Sequence, residues 1–146
     1  MPELDFMVTA DYVRVEGGVL HMIGAGFDTM FTAVVPAARQ VGIGMRVLLD
    51  VAEARVQHTI TLLYQAADGQ ELFRISGTIG PAPADGPMPP EGRPFGVPVA
   101  FNLPFPMPTY GDYSLELFVD DEPEAVKSIT LTVAPLSALP GPAGHA

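Results

Sequence analysis

The chain has 146 residues, with 17 Asp and Glu against 7 Lys and Arg and a formal net charge of −10. That length suits one domain, and a pI near 4.4 argues against nucleic acid as a direct partner. There is no cysteine, which excludes disulfide staples, thiolate metal sites and a cysteine nucleophile.

Charged residues make up 16% and hydrophobic ones 48%, against a usual charged share of about 25%. A domain this poor in charge either buries itself well or offers apolar surface to another protein. Met1 to Phe6 carries acids and no basic n-region, so it does not read as a secretory signal. No stretch approaches the ~20 apolar residues of a membrane helix. The expected address is the cytoplasm, with no membrane insertion.

Period-two alternation dominates the chain. The first unit is Tyr12 to Gly24, a hairpin turning at Gly17-Gly18, where a type I′ turn needs positive φ at both positions. That register sets Glu16 against Val19, Arg14 against His21 and Tyr12 against Ile23 on a mixed face. Val13, Val15, Leu20 and Met22 fall on an apolar one. Pro36 to Gln40 holds one helical turn at most. Val41 to Val51 is a strand with Val41, Ile43, Met45, Val47, Leu49 and Val51 on one side and Gly42, Gly44, Arg46, Leu48 and Asp50 on the other. Gly42-x-Gly44 sits mid-strand, where it signals close packing of another backbone.

His58 to Ile79 forms a hairpin turning at Asp68-Gly69, which places Tyr64 opposite Phe73 and Leu62 opposite Ile75. Gly80 to Pro94 dissolves into Pro, Gly, Ala and acids and reads as a mobile loop insertion. Phe95 to Leu103 resumes the alternation, and Pro98 within it marks an edge or bulged strand. Pro104 to Pro108 is expected as a rigid, extended apolar connector. Tyr113 to Val133 closes the pattern as two strands around an acidic tip, Asp120 to Glu124. Pro135 to Ala146 has no periodicity and is expected to be disordered. The sum is an all-β fold over residues 1–134, an antiparallel immunoglobulin-like β-sandwich of about eight or nine strands.

Ala10-Asp11-Tyr12, Gly17 to Gly24 and Phe27-Asp28 resemble the opening of a family of small bacterial proteins of unknown function. Tyr110 to Leu117 looks like that family's "P-G-x-Y-x-L-x-V" strand, with Tyr110-Gly111 in place of Pro-Gly. The resemblance spans residues 4–133 and implies an immunoglobulin-like sandwich; it implies no reaction.

Tyr113, near the start of a penultimate strand, is expected to bond back to loop backbone as a tyrosine corner. The histidines form no ligand set: His21 is an exposed strand residue, His58 a hydrogen-bonded strand end, and His145 lies in the tail. The acidic tip is the one carboxylate cluster, and calcium binding there requires Asp28, Asp50 or Asp68 to come close. Ser76, Ser114, Ser128 and Ser137 lack a nucleophile elbow. No helix follows a Gly-rich turn to bind phosphate. The chain therefore reads as no enzyme and as needing no cofactor.

What remains is surface. Leu48, Leu63, Leu72 and Phe118 fall on outward faces of several strands, a pattern that suggests either a flat patch for another subunit or protein, or a face over which residues 36–40 or the 80–108 connector fold. The expected function is protein association: self-association, or docking on a larger assembly through a sheet face or the edge near Pro98. Leu63, Leu72 and Phe118 are the expected contacts, with Phe105 and Met107 as connector anchors. The alternative is a loop-end site for a small ligand or calcium.

Overall fold

The computed structural model describes residues 1–87, 90 and 92–140. Strands β1 (Glu3–Ala10), β5 (Ala37–Leu49) and β8 (Phe95–Met107) form a first sheet in the order β1-β5-β8. Strands β4 (Thr29–Thr32), β6 (His58–Ala66), β7 (Glu71–Ile79), β9 (Gly111–Val119) and β10 (Lys127–Pro135) form a second, ordered β4-β10-β9-β6-β7. The remaining pair, β2 (Tyr12–Glu16) and β3 (Val19–Ile23), forms its own two-stranded ladder and joins neither sheet as a strand. The molecule is all-β, and its described residues include one four-residue helix, α1 (Val51–Ala54), and a 3-10 turn at Leu136–Ala138. No helix among the described residues is long and apolar enough to cross a membrane.

The alternation explains the core. Val41, Ile43, Met45, Val47 and Leu49 of β5 face Ile60, Leu62 and Tyr64 of β6 and Leu115 and Leu117 of β9, all nearly inaccessible. Tyr64 stacks on Phe73 and Tyr113 at centroid distances of 5.1 and 5.4 Å and packs on Phe105 at 4.7 Å. Each such contact adds about 0.5–1.5 kcal/mol beyond area burial. The Tyr64 hydroxyl donates to the Pro106 carbonyl at 3.0 Å, and burial pushes its pKa well above the ordinary tyrosine value.

Both expected hairpin registers are present. Tyr12 pairs with Ile23, Arg14 with His21 and Glu16 with Val19, while Leu62 pairs with Ile75 and Tyr64 with Phe73. Gly17 and Gly18 have φ of 59° and 73°, as a type I′ turn requires. The register shifts after Tyr64, because Gln65 pairs with Glu71 and Leu72 becomes the extra residue of a bulge. The turn still uses Asp68-Gly69: Gly69 has φ of 89°, and the Asp68 carboxylate accepts the Gln70 N–H at 2.9 Å.

Several boundaries differ from the sequence reading. Pro36 to Gln40 forms no helical turn, because β5 already begins at Ala37. Pro104 to Met107 is no free connector, because those residues extend β8 opposite Gln40 to Ala37. Val51 leaves the strand: Asp50 caps α1 by accepting the Glu53 N–H at 2.7 Å, and the Glu53 side chain accepts the Asp50 N–H at 2.8 Å. Two further strands, β1 and the four-residue β4, join the predicted set, and β4 runs parallel to β10. Gly80 to Pro94 has no strand among its described residues. The expected tail begins later than Pro135, which ends β10; residues 141–146 lie outside the described residues.

Candidate functional site

The β2–β3 hairpin lies across the outer face of the first sheet, on Gly42 and Gly44. A Cβ added at Gly42 would meet the Val13 nitrogen at 2.9 Å and the Tyr12 carbonyl carbon at 3.1 Å. One added at Gly44 would meet Met22 Sδ at 2.8 Å and Leu20 Cδ2 at 3.3 Å. The step from β2 to β3 thus follows the length of β5, so the hairpin crosses the sheet strands instead of running along them. The close backbone packing expected at Gly42-x-Gly44 is this contact.

A side-chain amide fixes the hairpin in place. Asn102 of β8 accepts the Val13 N–H at 3.0 Å and donates to the Val13 carbonyl at 2.7 Å, so it substitutes for a neighbouring strand. Val13 is fully buried as a result. Its strand neighbours are not. Tyr12, Val15, Val19, Met22 and Ile23 are five of the eleven large hydrophobic residues exposed among the described residues, with Ile23 67% and Val19 56% accessible. All five lie within the ten residues of β2 and β3.

The β3 edge of the hairpin is open. With Tyr12, Arg14 and Glu16 paired inward across the hairpin, the N–H and C=O groups of Leu20 and Met22 point away from β2. No described residue bonds them. β3 carries no proline, acid, Lys or Arg, which are the residues that normally blunt an edge.

The edge of β8 is built the opposite way. Pro98, Pro104 and Pro106 share one parity, so their donor-less nitrogens face one side, and only the side away from β5 tolerates that loss. Between β2, β7 and β8 runs a groove of about 530 Å³, lined by Val13, Val15, Thr78, Gly80, Val97 and Pro98. The edge near Pro98 is therefore a groove wall poor in donors, not a pairing edge.

The residues expected to make a patch do not come together. Phe105 and Met107 are buried between the sheets, because the alternation of β8 runs through the prolines and keeps odd residues inward. Leu72, displaced by the bulge, packs against the core. Leu63 points outward yet is 7% accessible; Arg74 and Glu116 stand opposite it, and Glu116 also accepts from the Gln65 amide. Phe118 is half-buried opposite Thr61, whose hydroxyl bonds Ser76 at 2.8 Å. That outer face is polar. Leu48 lies on the other sheet, half-buried. The hairpin was legible as a hairpin; its exposure was not, because alternation does not tell which of two outward faces is covered.

Tyr113 forms the expected corner: its hydroxyl donates to the Thr109 carbonyl at 2.7 Å and accepts the Thr109 N–H at 3.1 Å. His21 is exposed opposite Arg14. His58 is a buried strand end bonded to Asp120 and to the Glu53 carbonyl. Asp120 holds the Thr59 N–H, Asp50 caps α1, Asp28 accepts from Thr29 and Asp68 from Gln70. Among the described residues no three His, Asp or Glu side chains converge as a metal site.

A family model described as Family of unknown function (DUF6941) matches residues 5–134. No curated protein matches the chain. Among solved structures, the C-terminal domain of Wzt matches with a TM-score of 0.48 and 13% identity, over 91% of this chain and 73% of that one.

Proposed function

The chain belongs to the DUF6941 family of unknown function, and from that premise we propose that it is a non-catalytic protein-association module of the cytoplasm that docks through its β2–β3 hairpin. One observation carries this: among the described residues, five of eleven exposed large hydrophobics lie on a ribbon whose outer edge is unpaired. An exposed edge that is neither charged nor interrupted by proline is a template for another chain. Burial of Val19, Ile23 and the cross-strand Tyr12, which share the outer face, under a partner supplies the hydrophobic gain, and Leu20 and Met22 supply main-chain bonds. The net charge of −10 argues for a protein partner over nucleic acid.

The experiment is site-specific photo-cross-linking in the native host. A photoreactive residue at Ile23 should give a discrete adduct, and one at the exposed Thr130 of the polar sheet face should not. An adduct of twice the chain's mass identifies a second copy; any other mass identifies a different protein. No adduct at Ile23, or equal adducts at both positions, refutes the assignment.

A further inference from the structure

His58 opens β6 with its side chain 7% exposed, and both of its ring nitrogens meet acceptors. Nδ1 lies 2.9 Å from Asp120 Oδ2, and Nε2 lies 2.8 Å from the Glu53 carbonyl oxygen. A carbonyl and an ionised carboxylate accept hydrogen bonds and donate none. Both contacts are therefore satisfied together only when both nitrogens carry hydrogen, which is the imidazolium. Asp120 is held ready for it: its Oδ1 accepts the Thr59 N–H at 3.0 Å, and its own N–H donates to the Thr59 carbonyl at 2.7 Å. Its φ of 54° is the one positive value at a non-glycine among the described residues.

We infer that His58 is a pH-operated latch, tying α1 to the β9–β10 turn while protonated and releasing α1 when the ring loses its proton. A neutral imidazole keeps a single N–H. The bond to the carboxylate is charge-assisted and the stronger of the two, so Nδ1 retains the hydrogen. The Glu53 carbonyl then faces the Nε2 lone pair. Three other ties hold α1: the Ala54 carbonyl accepts the Ala82 N–H at 2.8 Å, the Met1 amino group meets Glu53 at 2.7 Å and the Ala54 methyl is buried in the core, while the capping box is internal. α1 connects the central strand of one sheet to the other sheet. Asp50, Val51 and Glu53 also line a cavity of about 860 Å³ with Leu48, Arg93 and Pro94, so release moves that cavity's wall.

The charged groups facing His58 are the carboxylates of Asp120, from the β9–β10 turn, and of Glu53, from α1; the Met1 amino group lies 2.7 Å beyond Glu53. Burial pulls the His58 pKa down, but the Asp120 carboxylate and the Glu53 contacts outweigh it and raise the pKa above its usual 6.5. A raised histidine stabilises fully below its ordinary value and loses that contribution as pH climbs through the folded titration. The latch thus closes on the acid side and opens on the alkaline side. Its opening constant grows about tenfold for each pH unit separating the two values.

The test follows the His58 ring by nitrogen-detected NMR and the α1 amides by hydrogen exchange, on the full chain between pH 5.5 and 9. The expected result is a His58 titration above 6.5, with both ring nitrogens protonated below it. Across the same titration the Ala54 and Val56 amides should exchange faster than intrinsic chemistry requires, while those of Leu62 and Leu117 should not. Asp120→Asn should bring the His58 titration down; should that variant fail to fold, the wild-type titration decides alone. A His58 titration at or below 6.5, or α1 exchange that tracks intrinsic chemistry throughout, overturns the latch.

Discussion

Gly42→Ala and Gly44→Ala are the same change two residues apart, and the structure assigns them different costs. At Gly42 the new Cβ meets backbone, the Val13 nitrogen at 2.9 Å and the Tyr12 carbonyl carbon at 3.1 Å, and also Asn102 Oδ1 at 3.0 Å. Backbone cannot swing aside, so the hairpin must lift. Lifting breaks the two Asn102–Val13 bonds, worth about 0.5–1.5 kcal/mol each. It also partly exposes Val13, whose full burial is worth about 1.5–3 kcal/mol. Alanine returns about 0.4–1 kcal/mol by restricting the unfolded chain. The net loss expected for Gly42→Ala is about 2–3 kcal/mol. At Gly44 the first obstacles are Met22 Sδ and a Leu20 methyl, the ends of flexible side chains. Gly44→Ala should therefore lie within about 1 kcal/mol of wild type. Urea unfolding of both variants, with hydrogen exchange at the Val13 amide, measures the difference. Equal costs for the two, or an unchanged Val13 amide in Gly42→Ala, would refute a hairpin seated backbone-to-backbone on the sheet.

Val19→Asp and Ile23→Asp, at positions 56% and 67% accessible, should leave stability within about 0.5 kcal/mol. Each should abolish the photo-adduct formed from Tyr12, the cross-strand partner of Ile23. Tyr113→Phe removes a hydroxyl that serves both backbone polar groups of Thr109 and should cost about 1–2 kcal/mol in urea unfolding. Stability should peak between the ordinary Asp and His values, about pH 4 to 6.5. Although burial opposes its ionisation, Asp120 titrates below its ordinary value because His58 and the Thr59 N–H outweigh that cost. Its contribution is complete above the ordinary value and is lost as pH falls through the lowered one, and the His58 contribution is lost as pH rises through its own raised one. Thermal unfolding from pH 3 to 9 should show both flanks, and His58→Gln should flatten the alkaline one.

Where side-chain alternation is unbroken, the fold was legible. The run from Val41 to Leu49 and the pairs around Gly17-Gly18 and Asp68-Gly69 have their predicted faces and registers, because a one-residue slip would turn each apolar set outward. The Asp5 bulge in β1 breaks the period between Leu4 and Phe6, so that strand left no clean pattern. Four-residue β4 is too short to carry one and exists through its pairing with β10. The capping box of Asp50 and Glu53 was present in the sequence as an Asp-x-x-Glu spacing and marks the end of β5. The site was less legible. Leu63 and Ile23 have the same sequence signature, an apolar residue on an outward face; Leu63 is covered because it sits mid-sheet between Arg74 and Glu116, and Ile23 is open because its hairpin lies on the outside of the other sheet.

The unpaired edge of β3 is tested most directly by amide exchange at Leu20 and Met22, measured in the free chain and again in the complex captured through Ile23. Both amides should exchange near the intrinsic rate in the free chain and at least about a hundredfold more slowly in the complex. If their rates stay the same while amides on the polar face of β6 and β9 become protected, the partner binds elsewhere and the hairpin is not the docking element.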